Sequence, residues 1–117
     1  MKKLLSILTF LSISVVAFAD DKPSFPGGET ALKSYVESHA IYPDIAKENG
    51  VEGIVVVGFI VMPDGSLNEI KVIRFVDPDL EKEAVRVVST MPAWTPAEKD
   101  GLPVEAPAKV DVPFLLE

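Results

Sequence analysis

Cysteine is absent from all 117 residues. Disulfides, thiol catalysis, thiolate metal ligation and lipid attachment through a cysteine are therefore excluded. Histidine occurs once, at His39, so a zinc site built from several His or Cys ligands cannot form. A serine-histidine-acid arrangement would have to use that same residue. Ser38 is its direct neighbour on a predicted helix and is expected to point away, and Ser34 lies five residues off, so neither forms a local pair. His39 thus reads as the end of an amphipathic helix, and a hydrolase using it ranks last among the functions considered. Asp77-Pro78-Asp79 has no later glycine and glutamate at calcium-loop spacing, and Gly27-Gly28 is followed by no phosphate-cradling Gly-Lys-Ser. No catalytic constellation, metal site or cofactor site is expected.

Basic residues are also scarce. Eleven Lys and Arg stand against 18 Asp and Glu, for a net charge of -7. Such a surface repels phosphate backbones and anionic lipid, which argues against nucleic acid as a partner.

The N-terminus differs from the rest. Lys2 and Lys3 precede an apolar run from Leu4 to Val16 and then Ala17-Phe18-Ala19, the charged, apolar and small-residue pattern of a secretory signal peptide over residues 1–19. Leu4 to Ala19 would make roughly 24 Å of helix, short of the ~30 Å hydrocarbon core that an uncleaved anchor must cross. Cleavage after Ala19 would leave 98 residues and, with two lysines gone, a charge of -9. That length suits one domain with one modest core. Residues 20–24 read as a flexible leader, and 25–117 as the domain.

Within the domain, Leu32, Tyr35, Val36 and His39 recur at helical spacing from Glu29 onward. A short helix from Pro43 to Glu48 follows, closed by Asn49-Gly50 with Gly50 as left-handed cap. Gly53 to Met62 is the most apolar run after residue 19 and reads as the central strand, ended by the turn Pro63-Asp64-Gly65-Ser66. Val55, Val57, Phe59 and Val61 share one face; Ile54, Val56, Gly58 and Ile60 share the other. A second strand is predicted over Leu67 to Val76. Asp77-Pro78-Asp79-Leu80 then starts a helix whose stripe is Leu80, Ala84, Val87, Val88 and Met91. Trp94, Pro96 and Gly101 mark an irregular crossing, with Trp94 read as a packing plug. A last strand alternates through Val110, Val112, Phe114 and Leu116.

Strand two, helix and strand three form a crossover unit, which places strands two and three parallel and the central strand between them. The fold class is α+β: a three-stranded antiparallel sheet of order two, one, three, with two main helices on the face of Val55, Val57 and Phe59. Strand three is an edge, and Pro107 and Pro113 suit an edge because proline cannot donate to a ladder. Ile54, Val56 and Ile60 form a second candidate interaction face, which motivates self-association as a homodimer.

Several fragments occur in a specific order: Phe25-Pro26-Gly27-Gly28, Tyr42-Pro43, Gly53-x-Val55-x-Val57-x-Phe59-x-Val61, Asp64-Gly65, Met91-Pro92-x-Trp94-x-Pro96-Ala97, Gly101-x-Pro103-Val104 and Val110-x-Val112-Pro113. This set resembles the C-terminal domain of TonB energy transducers and covers Phe25 to Leu116. The resemblance implies a non-enzymatic periplasmic domain that binds the TonB-box segment of an outer-membrane transporter, or another envelope protein, by strand addition beside the last strand. The implied docking edge is Ala108, Lys109, Val110, Asp111, Val112, Pro113 and Phe114. Full transducers also have an N-terminal membrane helix that meets an inner-membrane motor, and then a proline-rich spacer. Here the signal-like segment runs almost directly into the domain, so contact with that motor is expected only if the N-terminal segment is retained.

Overall fold

The computed structural model describes residues 21–117; the signal-peptide reading of residues 1–19 lies outside them. The elements are α1 (Gly28–His39), α2 (Asp44–Glu48), β1 (Gly53–Val61), β2 (Leu67–Arg74), α3 (Pro78–Ser89), β3 (Ala97–Lys99), β4 (Leu102–Val104) and β5 (Ala106–Phe114). Three strands form one antiparallel sheet in the order β2-β1-β5, the order predicted. Val55, Val57 and Val61 are fully buried and share one core with Leu80, Ala84 and Val88 of α3 and Val36 of α1. Each such valine or leucine contributes on the order of 1.5–3 kcal/mol over its exposed state.

Local sequence sets most of the boundaries. At the end of α2 the Val51 N–H donates to the Ala46 carbonyl at 2.9 Å and the Gly50 N–H to the Lys47 carbonyl at 3.2 Å, with Gly50 at φ 68°. These bonds form a complete left-handed helix stop, which satisfies carbonyls the helix leaves open. Pro43 sits one residue earlier than predicted, at the cap itself. After β1, the Asp64 carboxylate accepts from the Ser66 N–H and hydroxyl at 2.9 and 2.6 Å, closing the predicted turn. Asp77 caps α3 by accepting from the Asp79 and Leu80 N–H groups at 2.9 and 3.2 Å.

Four expectations are corrected. The second strand ends at Arg74, not Val76, because the Glu81 carboxylate takes the Val76 N–H at 2.7 Å and turns the chain into α3. The crossing read as irregular contains the hairpin β3-β4, whose turn places Asp100 and Gly101 at φ 54° and 80°. The last strand ends at Phe114, and Glu52 holds the Leu116 N–H at 2.7 Å outside the ladder. Finally, Asp21 and Ser24, in the stretch read as a flexible leader, form two-way backbone bonds with Glu98 and Thr95.

The two long helices are tied together where α1 ends. Arg86 donates to the His39 carbonyl at 2.9 Å and to both Glu83 oxygens at 2.8 Å, while Glu83 also accepts the Ile41 N–H at 2.7 Å. The Tyr35 hydroxyl reaches the Thr90 carbonyl at 2.8 Å. Trp94 is a plug as predicted. It is 6% exposed and meets the Phe25 and Phe59 rings edge-on at centroid distances of 5.8 and 5.1 Å.

Candidate functional site

The sheet has two edges, and they differ in backbone regularity. The β1-β2 ladder breaks twice. Between Val56 and Val57 the register skips Ile73, and between Gly58 and Ile60 two β2 residues, Glu69 and Ile70, face one on β1. Glu69 lies at φ 53°, in the left-handed region that a bulge normally gives to glycine. Bulges twist an edge strand so that another strand cannot pair along it. The β1-β5 ladder has no such break and runs through nine consecutive pairs, Gly53–Phe114 to Val61–Ala106.

Backbone direction along β5 follows from its prolines. In an antiparallel pair, alternate residues turn their N–H and C=O toward the neighbouring strand and the others turn them away. Pro107 and Pro113 have no N–H to give, so an unbroken ladder puts their parity on the outward side. Lys109 and Asp111 share that parity. The free edge therefore offers two N–H donors, at Lys109 and Asp111, and four carbonyls, at 107, 109, 111 and 113.

Among the predicted edge residues, Val110, Val112 and Phe114 send their side chains into the core at 3, 0 and 2% exposure, and Ala108 packs against it. Lys109, Asp111 and Pro113 are exposed. Any contact made by this strand is accordingly a backbone contact first. Beside it lies a trough of two adjoining hollows. One, of about 430 Å³, lies between β5 and α1 and is lined by Leu32, Val36 and Val110 under Glu29, Lys33 and Glu37. The other, of about 490 Å³, lies beside Ala106 to Lys109 and is lined by Leu32, Trp94 and the Lys22-Pro23-Ser24 segment. Sequence reasoning missed this wall. Leu32 and Val36 read as ordinary core positions, and nothing local shows that α1 lies alongside the last strand.

The second candidate face is less open than its composition suggests. Ile54, Val56 and Ile60 are all half-buried, Ile73 lies across Gly58, and Lys109 and Asp111 stand opposite Gly58 and Val56. At the single histidine the expectation is reversed: the Ser38 hydroxyl lies 3.0 Å from His39 Nδ1. Both groups, however, turn to the Tyr35 carbonyl, at 3.2 and 2.9 Å, within the last turn of α1. Ser38 and His39 thus share one backbone acceptor at the end of α1. Among the described residues no cluster of three or more acids or histidines is placed to hold a metal ion.

Residues 38–116 match the family model described as the Gram-negative bacterial TonB protein C-terminal. The chain belongs to the TonB C-terminal domain family. Two solution structures of the Helicobacter pylori TonB C-terminal domain share the fold. The form spanning that protein's residues 179–285 is 23% identical with a TM-score of 0.57, covering 74% of this chain and 78% of that one. The form spanning 194–285 is 22% identical with a TM-score of 0.55, covering 73% of this chain and 89% of that one. No curated protein sequence matches the chain. TonB C-terminal domains belong to envelope-associated proteins and serve interaction and energy transduction, with outer-membrane transporters as the partners the family implies. The match begins at residue 38, so the leader and most of α1, which wall the trough, lie upstream of it. Among the described residues no helix is long and apolar enough to cross a membrane.

Proposed function

We propose that this chain is a periplasmic TonB-like module, exported by residues 1–19, that binds the TonB box of an outer-membrane transporter by adding it as a strand beside β5, in support of energy-dependent transport. The observation that carries this reading is the contrast between edges: β5 is regular over its whole length, whereas β2 is bulged at Glu69 and Ile73. Three to six backbone bonds at about 1 kcal/mol net each provide ~3–6 kcal/mol. That corresponds to dissociation constants from millimolar or weaker down to tens of micromolar before side chains contribute, a strength suited to pulling and release. An NMR titration with a TonB-box peptide tests it: shifts should centre on Ala108 to Phe114, and their absence there would overturn the reading.

A second reading, a self-associating envelope module without energy coupling, draws on the outer sheet face. Ile54, Val56 and Ile60 are only half-buried, and Ile73 beside them is 53% exposed. Light scattering at high concentration separates the two, since a strict monomer eliminates this alternative. Contact with an inner-membrane motor belongs to the first reading only if residues 1–19 stay attached.

A further inference from the structure

Large apolar side chains standing in water are not spread evenly over this molecule. Among the described residues Ile41, Ile45, Phe75 and Leu115 are 62–71% exposed, and Val76 is exposed as well. All five gather at the end of the sheet closed by the Gly53–Phe114 pair, where β1 begins and β5 ends. A β-carbon added to Gly53 would come within 2.6 Å of the Val76 side chain, and Phe75 precedes it in the chain. Leu115 follows Phe114 directly. Ile41 and Ile45 stand on either side of Tyr42, whose ring meets Phe114 edge-on at 5.5 Å, and α2, which carries Ile45, lies against α3. Single exposed apolar residues are ordinary, whereas a group of them marks a contact surface.

The chain's own groups already hold the backbone donors here. Glu83 takes the Ile41 N–H, Glu81 the Val76 N–H and Glu52 the Leu116 N–H, each at 2.7 Å, and the Ala46 carbonyl takes the Val51 N–H. A partner at this end is therefore met by side chains and not by a backbone ladder. A helix suits such a surface, because it satisfies its own backbone bonds and presents side chains alone. Charge selects its sign. Asp44, Glu48, Glu52, Asp77, Asp79 and Glu81 stand here against Lys47, Arg74 and Lys82. An acidic rim opposes anionic lipid and a second copy meeting it with the same end, and it favours a cationic partner. We propose that this end is a docking surface separate from the β5 edge, and that its partner is a basic amphipathic helix. The apolar stripe of that helix covers Ile45, Phe75 and Leu115, while its Lys or Arg residues meet the carboxylates. The surface is available whether or not a strand lies beside β5.

Methyl NMR on the full-length chain tests this with three synthetic helices of about 18 residues, or five turns. The first carries leucine at helical i, i+3 and i+4 spacing and lysine elsewhere; the second replaces its lysines by glutamate, and the third its leucines by serine. The lysine-leucine helix should shift the Ile45, Val76 and Leu115 methyl signals, and the other two should not. Its affinity should fall about tenfold or more in the Ile45→Ser, Phe75→Ser double variant and about threefold in the Asp44→Asn, Glu48→Gln double variant. Leu102→Ser, which alters an exposed leucine on β4, should leave it unchanged. All of these positions are exposed, so urea midpoints of the variants should match the parent, and their affinity for a TonB-box peptide should stay the same. Equal binding of the glutamate helix, or shifts centred away from this end, would overturn the proposal. So would a dimer in light scattering that the Ile45→Ser, Phe75→Ser variant abolishes, which would make the occupant a second copy. Phosphatidylglycerol vesicles that shift the same methyl signals would overturn it in favour of a membrane. None of these outcomes decides strand addition at β5, which the TonB-box titration tests separately.

Discussion

Ile73 lies across Gly58 so closely that a β-carbon on Gly58 would come within 2.3 Å of the Ile73 Cδ1 atom. Ile73 is the residue skipped by the ladder, and its side chain fills the place where β1 has none. Gly65 is crowded differently: a β-carbon there would meet the Trp94 carbonyl oxygen at 2.4 Å, and its φ is 89°. A side-chain tip at the surface can swing aside, and a backbone carbonyl cannot. Gly58→Ala should therefore cost at most about 1 kcal/mol, whereas Gly65→Ala should cost about 3 kcal/mol from strain and displaced backbone. Urea denaturation of both variants checks the contrast, and Gly58→Ala combined with Ile73→Ala should recover most of the smaller loss.

Asp77 holds two N–H groups at the start of α3. Asp77→Ala should destabilise by about 1 kcal/mol, and Asp77→Asn, which keeps an acceptor, by only a few tenths. Thermal melts followed by circular dichroism measure both.

Acid should loosen the joint between α1 and α3. Hydrogen bonding by Arg86 is the main influence holding the Glu83 carboxyl below its ordinary 4.5; partial burial opposes it, and the Ile41 N–H adds to it. A carboxyl with a lower pKa in the folded state gives stability that is present above 4.5 and lost as pH falls through the folded value. Glu83→Gln should lower stability near neutral pH and flatten its decline below about pH 4.5. Urea midpoints measured at neutral and acid pH show whether the two curves converge.

Trp94, the single tryptophan, reports on both folding and binding. It is buried between Phe25 and Phe59, yet it also lines the hollow beside Ala106 to Lys109. Its emission should shift to longer wavelength on unfolding. A TonB-box peptide should alter its intensity, and Leu32→Gln should weaken that response. A response unaffected by peptide would mean that the segment does not reach this end of the trough.

Elements set by a few neighbouring residues were legible in the sequence. Asp77-Pro78 announced α3, Asn49-Gly50 closed α2, and the alternation from Val55 to Val61 identified the core face, because caps and pleats act over two to five residues. The β3-β4 hairpin carried a readable Asp100-Gly101 signal, but its strands are three residues long and Pro96 and Pro103 hide their alternation. The bulge at Glu69 had no glycine to mark it. The edge strand of the candidate site was visible through Pro107 and Pro113, while the trough was not: it depends on contacts between residues far apart in the chain, such as the Tyr35 and Arg86 bonds between α1 and the end of α3 and the burial of Val36 in the core.

A sheet with one side open to pairing and the other kinked has arithmetic consequences for assembly. If two copies met edge to edge through β5, each would consume the regular edge of the other's three-stranded sheet, and the pair would close on a twofold axis with the bulged β2 strands outermost. Uncontrolled pairing would stop at two chains instead of propagating into a fibre. Such a pair would also hide the surface a transporter needs, so crowding of the chain with itself would lower its apparent affinity for any other strand.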